Sequence, residues 1–268
     1  MGGFDATTDL AIAELVIYIL LLPVFIFVLA RHGKHGIIGW LFLALFAVLR
    51  IIADGFQIDD RIKQNKGEQV SSTGAIINSV GVSPLLIALA SIVCEAATYT
   101  GKFKRMLNIT IHVFFHFLVG TGIAIVAVGS SNLYAPASSS NSYSSDQGLV
   151  KGGYIILLLT VIIIIILAVW TRRNLNASQL YETQAHAETR NVPRKRHVNA
   201  KSLVNWALVA TIFVAIRVIY GIVYAFSNEK ASLSPATGSF EIKFWLIFLV
   251  QLIAACCLLI GGVVSMER

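Results

Sequence analysis

An arginine and an aspartate lie four residues apart within a long apolar stretch of the sequence. Arg50 and Asp54 belong to the segment "AVLRIIADGFQIDD". Residues at this spacing share one face of an α-helix and can form an ion pair. A charge that faces lipid costs roughly 2.5–3.5 kcal/mol at the middle of a membrane helix, so we expect this face to point towards other protein groups. The pair predicts either a structural ion-pair network or the wall of a polar cavity.

Other apolar stretches carry polar side chains at a similar depth. Glu14 and Tyr18 are spaced i, i+4, and Tyr220 and Tyr224 follow Arg217 at helical spacing. Ionisable groups inside a membrane are costly and commonly functional. We therefore expect a ligand-binding site formed by Glu14, Tyr18, Arg50, Asp54, Asn78, Arg217, Tyr220, Tyr224 and Gln251.

Three carboxylic acids are also candidates for acid catalysis. A carboxyl group that burial keeps protonated can donate a proton to a substrate. The candidates are Glu14, Asp54 and Glu95. Arg50 favours the ionised form of Asp54, whereas Glu14 has no cation close to it in sequence and is the preferred donor. The sequence leaves open whether the chain is an enzyme.

Two histidines share one face of the fourth apolar stretch. His112 and His116 are spaced i, i+4, and Glu95 ends the preceding stretch. These residues could bind a divalent metal or relay protons, and they could equally form hydrogen bonds between neighbouring helices. The stretch has no third histidine and no HExxH motif, so we predict no metal site and no cofactor.

The composition is typical of a protein that crosses a membrane several times. Of the 268 residues, 56% are hydrophobic and 13% are charged, whereas soluble domains carry about 25% charged residues. The net charge of +7 comes from Lys and Arg between apolar stretches, which is typical of cytosolic loops rather than of nucleic-acid binding. The cysteines Cys94, Cys256 and Cys257 lie inside apolar stretches and predict no disulfide framework.

Seven apolar stretches are long enough to cross a bilayer, which needs about 20 residues per helix. They lie near residues 10–30, 37–57, 74–98, 107–129, 149–170, 203–226 and 242–264. The third contains Ser83-Pro84 and is expected to form one kinked helix, since membrane helices tolerate proline. The sequence therefore predicts an all-α fold in which residues 1–268 form a single seven-helix transmembrane bundle.

The distribution of basic residues predicts the orientation of this bundle. Most Lys and Arg flank the stretches on one side, and positive charge is retained in the cytosol. We expect the amino terminus outside and the carboxyl terminus in the cytosol, in the plasma membrane or the endoplasmic reticulum. The longest cytosolic loop, residues 171–201, is basic and could contact anionic lipid or a cytosolic partner. The serine-rich exterior loop "SSNLYAPASSSNSYSSDQ" is expected to be mobile.

Seven spans with an outside amino terminus resemble the topology of G-protein-coupled receptors. The motifs of that class are missing, since the third stretch ends in "CEAATYTGKFKR" without an Asp/Glu-Arg-Tyr triplet. The seventh reads "QLIAACCLLIGGVVSM" and has no Asn-Pro-x-x-Tyr motif. It also has no central lysine for a retinal Schiff base, because Lys243 falls at its outer rim.

Three segments carry a second resemblance that spans nearly the whole chain. They are "LAIAELVIYILLLPVFIFVLARHG", "LRIIADG" and "IRVIYGIVYAF", and they are similar to a group of uncharacterised fungal seven-helix membrane proteins. That resemblance implies the fold and no activity. In size and build the chain also resembles fungal membrane terpene cyclases of secondary metabolism, although their motifs do not match it residue by residue.

Three functions remain open from the sequence. The first is a receptor-like bundle that binds a small molecule, such as a lipophilic ligand, among the polar groups of its outer half. The second is a membrane-embedded enzyme, terpene-cyclase-like or an isomerase, that acts on a lipophilic substrate. The third is a proton-coupled transporter that uses Glu95, His112 and His116, which an odd number of helices disfavours.

Overall fold

The fold is helical throughout the part of the chain that can be described. A computed structural model describes residues 5–68, 73–100, 105–134, 140–185, 194–227, 233–234 and 238–266. These residues include no β-strand, which confirms the predicted all-α class. The helices are α1 (Ala6–Arg31), α2 (Gly33–Lys66), α3 (Thr73–Val80), α4 (Ser83–Thr98), α5 (Arg105–Tyr134), α6 (Ser140–Ala185), α7 (Arg194–Phe226), α8 (Phe240–Ile242) and α9 (Val250–Ser265). A π-helical stretch, Lys243–Leu249, joins α8 to α9 and is called the π segment below.

Seven stretches within these helices are long and apolar enough to cross a membrane. They are Ala6–Arg31, Gly36–Lys66, Ile76–Thr98, Ile109–Leu133, Ser144–Ala177, Asn199–Phe226 and Phe240–Ser265. Their number and length confirm the prediction of a multi-pass membrane protein, since each exceeds the roughly 17 residues that a membrane helix requires. The orientation of the termini stays a prediction.

Several helices extend well beyond the predicted apolar stretches. The helix α2 continues to Lys66, where an ion pair between Lys63 and Asp59 (2.6 Å) supports its last turns. It ends at Gly67, whose φ of 72° is the left-handed conformation that commonly terminates a helix. The apolar pattern marked only residues 37–57 of α2, so its polar end was missed.

The predicted loops flanking the sixth helix are also largely helical. The helix α6 has 46 residues, which corresponds to about 69 Å and to more than twice the thickness of a bilayer core. Residues 171–185, expected in the basic loop 171–201, continue α6, and residues 194–201 belong to α7. On the other side, α5 and α6 extend into the serine-rich segment that was predicted to be mobile. The intervening residues 186–193 and 135–139 lie outside the described part of the chain.

The third apolar stretch contains two helices rather than one kinked helix. The helix α3 ends at Val80, residues 81–82 form a turn, and α4 begins at Ser83 with Pro84 in its first turn. Proline has no N–H to donate to the preceding turn, so it fits the start of a helix and not its interior. The hydroxyl of Ser83 donates instead to the carbonyl of Val80 at 2.9 Å. This break leaves α3 as a short separate unit.

The helix α4 lies at the centre of the bundle. All of its residues from Ser83 to Ala97 are buried, and it packs against α2, α5, α6 and α7. The helix α1 lies at the periphery, packs mainly on α2 and also contacts α9 and the π segment. Large apolar side chains on the outer faces, such as Leu20 and Phe117, are exposed, as expected for residues that contact lipid.

Close approach between helices depends on small residues. A Cβ on Gly153 of α6 would lie 2.7 Å from the carbonyl oxygen of Gly122 on α5. A Cβ on Gly129 of α5 would lie 2.8 Å from the carbonyl oxygen of Asp146 on α6. Such contacts are typical of membrane helices, whose association depends on tight packing. Below, the amino-terminal end of the bundle is the end at which α1 begins and α2 ends, and the opposite end is where the chain turns at His32.

Candidate functional site

Arg50 is the centre of a buried charged cluster at the amino-terminal end of the bundle. Its Nη2 forms an ion pair with Glu14 of α1, and the same atom lies 3.7 Å from Asp54 Oδ1. Its Nη1 donates to Asn78 Oδ1 at 2.7 Å. The sequence correctly predicted that Arg50 and Asp54 share one face of α2. The partner from α1 could not be read from spacing along one helix.

The packing of α1 explains why Glu14 and Tyr18 face this cluster. Buried residues of α1 recur at helical spacing, and the buried face includes both side chains. The ring of Tyr18 is fully buried, packs edge-on against Phe46 (5.6 Å between ring centres), and lies 6.0 Å from the Arg50 guanidinium carbon. The Arg50 charge therefore has an aromatic face as well as carboxylates around it.

Asn78 connects the cluster to two further helices. Because α3 ends at Val80, the carbonyl of Asn78 lies in the last turn, where helix carbonyls have no partner within the helix. That carbonyl accepts a hydrogen bond from Arg217 Nη2 of α7 at 3.3 Å. The side-chain Nδ2 of Asn78 donates to Gln57 Oε1 of α2 at 3.4 Å. One residue of a short helix thus contacts both buried arginines.

The surroundings of Arg217 differ from those of Arg50. It has no exposed surface and forms no ion pair with a described carboxylate. Its guanidinium carbon lies 5.2 Å from the centre of the Tyr220 ring, and its Nε and Nη1 have no hydrogen-bond acceptor among the described residues. Among the described residues, the ion pairs with Glu14 and Asp54 therefore involve Arg50 and not Arg217.

A small cavity opens beside the cluster. It is lined by Leu10, Ala11, Glu14, Arg50, Gln57, Asn78, Lys243 and Ile247. The space between these side chains is about 250 Å³ when the part open to solvent is counted, but the centre of a water molecule can reach only about 10 Å³ of it, which is room for roughly one water. The polar side chains thus fill most of the site themselves.

Lys243 is a cavity residue that the sequence did not reveal. It was predicted at the rim of the seventh span, but it is 8% exposed and begins the π segment. A π-helical stretch turns its side chains relative to those of a regular helix, and such stretches are frequent at functional sites. No sequence signal marks the change from α-helix to π-helix. The position of Lys243 in the cavity could have been suspected only because a lysine stands beside apolar residues.

Several predicted site residues lie outside the cavity wall. Tyr220 Oη donates to the carbonyl of Leu233 at 2.6 Å, and Tyr224 is buried on the same helix. Gln251 is 1% exposed, and neither the Nε2 nor the Oε1 of its amide has a hydrogen-bond partner among the residues described. Tyr18 and Arg217 are likewise buried beneath the cavity rather than in its wall.

A second polar cluster lies at the opposite end of the bundle. His32 Nδ1 is 3.0 Å from Glu95 Oε1, and His32 Nε2 is 3.0 Å from the carbonyl oxygen of Gly262. Trp40 Nε1 donates to Glu95 Oε2 at 3.1 Å. Because both ring nitrogens face acceptors, the doubly protonated imidazolium satisfies both bonds. Burial alone would lower the pKa of His32, but the hydrogen bond and charge of Glu95 and the Gly262 carbonyl outweigh it and raise the pKa above its ordinary value.

The predicted grouping of Glu95 with two histidines is not formed. Glu95 bonds to His32 and Trp40, while the ring of His116 packs on Phe42 with 5.0 Å between ring centres. Across the described ranges, no group of three or more His, Cys, Asp and Glu residues is arranged to hold a metal ion. His112 and His116 therefore do not join Glu95 in a common site.

In the described part of the chain, seven membrane-length helical stretches pack around buried ionisable groups, which defines a polytopic integral membrane protein. Comparison with known proteins then identifies the family. A family model described as "Domain of unknown function (DUF7702)" matches residues 4–268, and the chain belongs to this family. No curated protein and no solved structure matches the chain.

Proposed function

We propose that this protein is a receptor-like membrane bundle that binds a small ligand at its amino-terminal end. The observation that carries the proposal is the cavity between Glu14, Arg50, Asn78 and Lys243, which places three charged side chains and one amide from four parts of the chain beside a common opening. Leu10, Ala11 and Ile247 add an apolar wall. Ligand sites commonly combine apolar walls with a few convergent polar groups. The ligand is therefore expected to combine a polar group with an apolar body.

The arrangement of Asn78 explains how binding could change the bundle. A ligand larger than one water must displace cavity side chains, and Asn78 is bonded to Arg50 of α2 and to Arg217 of α7. Asn78 lies on α3, an eight-residue helix that a turn separates from α4. A short helix with a break is suited to move as a unit. Ligand binding is therefore proposed to shift α3 and thereby the contact between α2 and α7.

A ligand screen with two lysine variants tests this proposal. The purified chain in lipid nanodiscs is screened against small metabolites by thermal shift, and the affinity of each hit is then measured for Lys243→Gln and Lys63→Gln. Lys243 lines the cavity, whereas Lys63 is a surface residue at the same end. We expect Lys243→Gln to weaken binding about tenfold, equivalent to about 1.4 kcal/mol, and Lys63→Gln to leave it unchanged. Hits that bind both variants equally would place the ligand elsewhere.

A second candidate function, an enzyme acting on a lipophilic substrate, is favoured by one observation. Glu14, the preferred proton donor, is held in an ion pair with Arg50 and serves there as an acceptor. Asp54 is 1% exposed, and its Oδ2 has no hydrogen-bond partner in the ranges that the structure describes. An unpartnered carboxyl oxygen is free to carry a proton, so Asp54 replaces Glu14 as the proposed acid.

Feeding experiments separate catalysis from binding. Microsomes that contain the protein are given polyprenyl substrates, and extracts are compared for the wild type, Asp54→Asn and Asp59→Asn, the last changing a carboxylate near the helix end. Catalysis by Asp54 predicts a product that is lost only in Asp54→Asn. Absence of any product from folded wild-type protein would contradict the enzyme proposal while leaving ligand binding untouched.

The remaining expectations also belong to the proposal. Secondary metabolism in a fungus, and residence in the plasma membrane or endoplasmic reticulum, stay predictions that derive from the resemblance and the composition. Contact of the basic segment 171–201 with anionic lipid or a cytosolic partner is likewise a prediction. The proton-coupled transporter that uses Glu95, His112 and His116 likewise stays a prediction.

A further inference from the structure

A layer of buried polar side chains crosses the bundle beneath the cavity. It consists of Tyr18 on α1, Arg50 on α2, Arg217 on α7 and Gln251 on α9, each no more than 2% exposed. Side chains buried to this degree face the interior of the bundle and not lipid. Whether they share one level follows from the contacts between the helices.

Contacts at the opposite end fix the register of α9 against α7. A Cβ on Gly261 would lie 2.8 Å from the Cβ of Trp206, so these two residues pack at the same level. The two helices are consecutive spans and run antiparallel. Three helical turns correspond to about 16 Å. At this distance towards the amino-terminal end, α7 leads from Trp206 to Arg217, and α9 leads from Gly261 to the residue next to Gln251.

The same step applies to α1 and α2. Gly262 of α9 packs against Val28 of α1 and Trp40 of α2. About three helical turns from Val28 towards the amino-terminal end, α1 reaches the residue next to Tyr18. The same distance from Trp40 along α2 reaches the residue next to Arg50. The ring of Tyr18 does lie 6.0 Å from the Arg50 guanidinium carbon, which supports this register. All four polar residues therefore occupy one level of the bundle.

Unsatisfied hydrogen-bond donors dominate this layer. Within the described part of the chain, the layer's atoms without a hydrogen-bond partner are Tyr18 Oη, Arg50 Nε, Arg217 Nε and Nη1, and Gln251 Nε2 and Oε1. The nitrogens among them can only donate, the hydroxyl can donate or accept, and only Gln251 Oε1 is limited to accepting. Burial of a hydrogen-bond donor without an acceptor is unfavourable, so such groups normally have a partner.

The charges point to the same kind of partner. Arg50 is compensated by Glu14 and Asp54, whereas the partners of Arg217 among the described residues are the Asn78 carbonyl and the Tyr220 ring. The carbonyl end of α3 offers a partial negative charge of about half a unit. A guanidinium is neutralised better by an oxyanion, and its N–H groups match carboxylate geometry.

We infer that Arg217, with Gln251 and Tyr18, forms an inner subsite that receives a carboxylate group. This inference rests on the proposed ligand-binding function and names the chemical class of the ligand. The apolar body of the ligand lies in the cavity beside Leu10 and Ile247, and Asn78 separates the cavity from Arg217. Displacement of Asn78 from Arg217 opens the way to the inner subsite.

Matched probes test the charge of the ligand. The full chain in lipid nanodiscs is titrated with acetate, hexanoate, dodecanoate and hexanol at constant ionic strength, and thermal unfolding is recorded. We expect hexanoate or dodecanoate to stabilise the wild type at concentrations at least about tenfold lower than hexanol. Stabilisation by acetate to the same extent as by the longer acids would identify a free small anion, rather than an amphiphile, as the occupant of the subsite.

Matched variants test the role of Arg217. In Arg217→Gln the advantage of carboxylates over hexanol is expected to disappear, and in Arg173→Gln, an exposed position on α6, it is expected to persist. Gln251→Leu provides a second readout if Arg217→Gln does not fold, with carboxylate affinity expected to fall about tenfold. A purely structural arginine would leave the carboxylate preference of Gln251→Leu unchanged.

The outcomes separate this inference from the function on which it rests. Equal stabilisation by hexanoate and hexanol, unchanged in Arg217→Gln, overturns the carboxylate subsite and leaves a neutral ligand in the cavity. Absence of any response to the acids also overturns it. The ligand-binding function is then judged independently by the metabolite screen with Lys243→Gln and Lys63→Gln.

Discussion

At the scale of single residues, burial of charge decides the arrangement at the amino-terminal end. Arg50 is surrounded by Glu14, Asp54 and Asn78, which come from three helices. Removing one partner of a buried pair costs more than the pair itself contributes, because the remaining charge stays in a medium of low polarity. The stability of the cluster therefore depends on its being complete.

Removal of Arg50 tests this dependence. Arg50→Leu leaves Glu14 and Asp54 buried without their cation and is expected to lower the free energy of unfolding by about 3–5 kcal/mol. The double variant Arg50→Leu, Glu14→Leu should recover part of that loss, because it removes one unpaired charge. Denaturant titration in bicelles measures both. A double variant less stable than Arg50→Leu would contradict the account.

As a control, the exposed pair on the same helix is expected to contribute little. Asp59 and Lys63 are about half and two-fifths exposed, at 50% and 38%, and surface ion pairs contribute about 0–1 kcal/mol. Lys63→Gln should therefore leave the unfolding free energy almost unchanged in the same titration.

The stability of the folded protein is expected to depend on pH through His32, at the opposite end of the bundle. The pKa of His32 is raised in the folded protein, so its contribution is complete below the unfolded value of about 6.5 and is lost as the pH rises through the folded value. Unfolding midpoints between pH 5.5 and 8.5 should fall with pH in the wild type and in His116→Gln. The slope should be smaller in His32→Gln, and an unchanged slope in that variant would refute the assignment.

The sequence predicted which of these residues are buried but not how they pair across helices. Arg50, Asp54, Glu14, Asn78 and Arg217 were all predicted as buried polar groups, because a charge in an apolar stretch of membrane length must face protein. Their pairing across helices, and the partnership of Glu95 with His32, depend on how the helices are rotated. Rotation is set by packing of side chains from several helices and leaves no periodic signal in one of them.

At the scale of helices, breaks and glycines position the site. The turn at residues 81–82 frees the carbonyl of Asn78 for Arg217, and the π segment brings Lys243 into the cavity wall. Proline predicted a disturbance in the third span, although a kink and not a break was expected. The π segment was missed, since its composition is that of an ordinary membrane helix.

A pair of glycine variants tests the importance of close helix contacts. In Gly153→Ala the new methyl group meets the carbonyl oxygen of Gly122 at 2.7 Å and Val126 N at 3.0 Å, and backbone atoms cannot move aside cheaply. We expect a loss of about 1–3 kcal/mol in the same titration. Gly120→Ala, where nothing lies within 4 Å of the added atom, should be neutral or stabilise by up to about 1 kcal/mol. Equal effects would remove the steric explanation.

At the scale of the whole molecule, the bilayer explains why the architecture was predictable. Membrane thickness sets a minimum apolar length for each helix, and the sequence has seven such stretches. The extensions of α2 and α6 beyond the membrane follow no such rule, because polar helices and polar loops have similar composition. The orientation follows from charge asymmetry alone and stays a prediction.

Two positions on α6 test that orientation. Ser145 and Asn176 are both exposed and lie near opposite ends of the membrane-length stretch Ser144–Ala177. With Cys94, Cys256 and Cys257 replaced by alanine, a membrane-impermeant thiol reagent on intact cells should label Ser145→Cys at the plasma membrane and not Asn176→Cys. Sealed microsomes, whose cytosolic face is outward, should give the reverse result for protein in the endoplasmic reticulum. The opposite pattern in either preparation would invert the predicted topology.

Ligand binding at the amino-terminal end requires that the charged side chains lie beside a small cavity that water can enter and do not face lipid. Hydroxyl-radical footprinting of the protein in nanodiscs measures this directly, because the radicals arise from water beside the modified residue. Leu10, which is 7% exposed, and Ile247, which is 4% exposed, line the cavity, whereas Ile12 is 36% exposed on the outer face of α1. Hydroxyl radicals are expected to modify Leu10 and Ile247 faster than Ile12. Faster modification of Ile12 than of both cavity residues would contradict it.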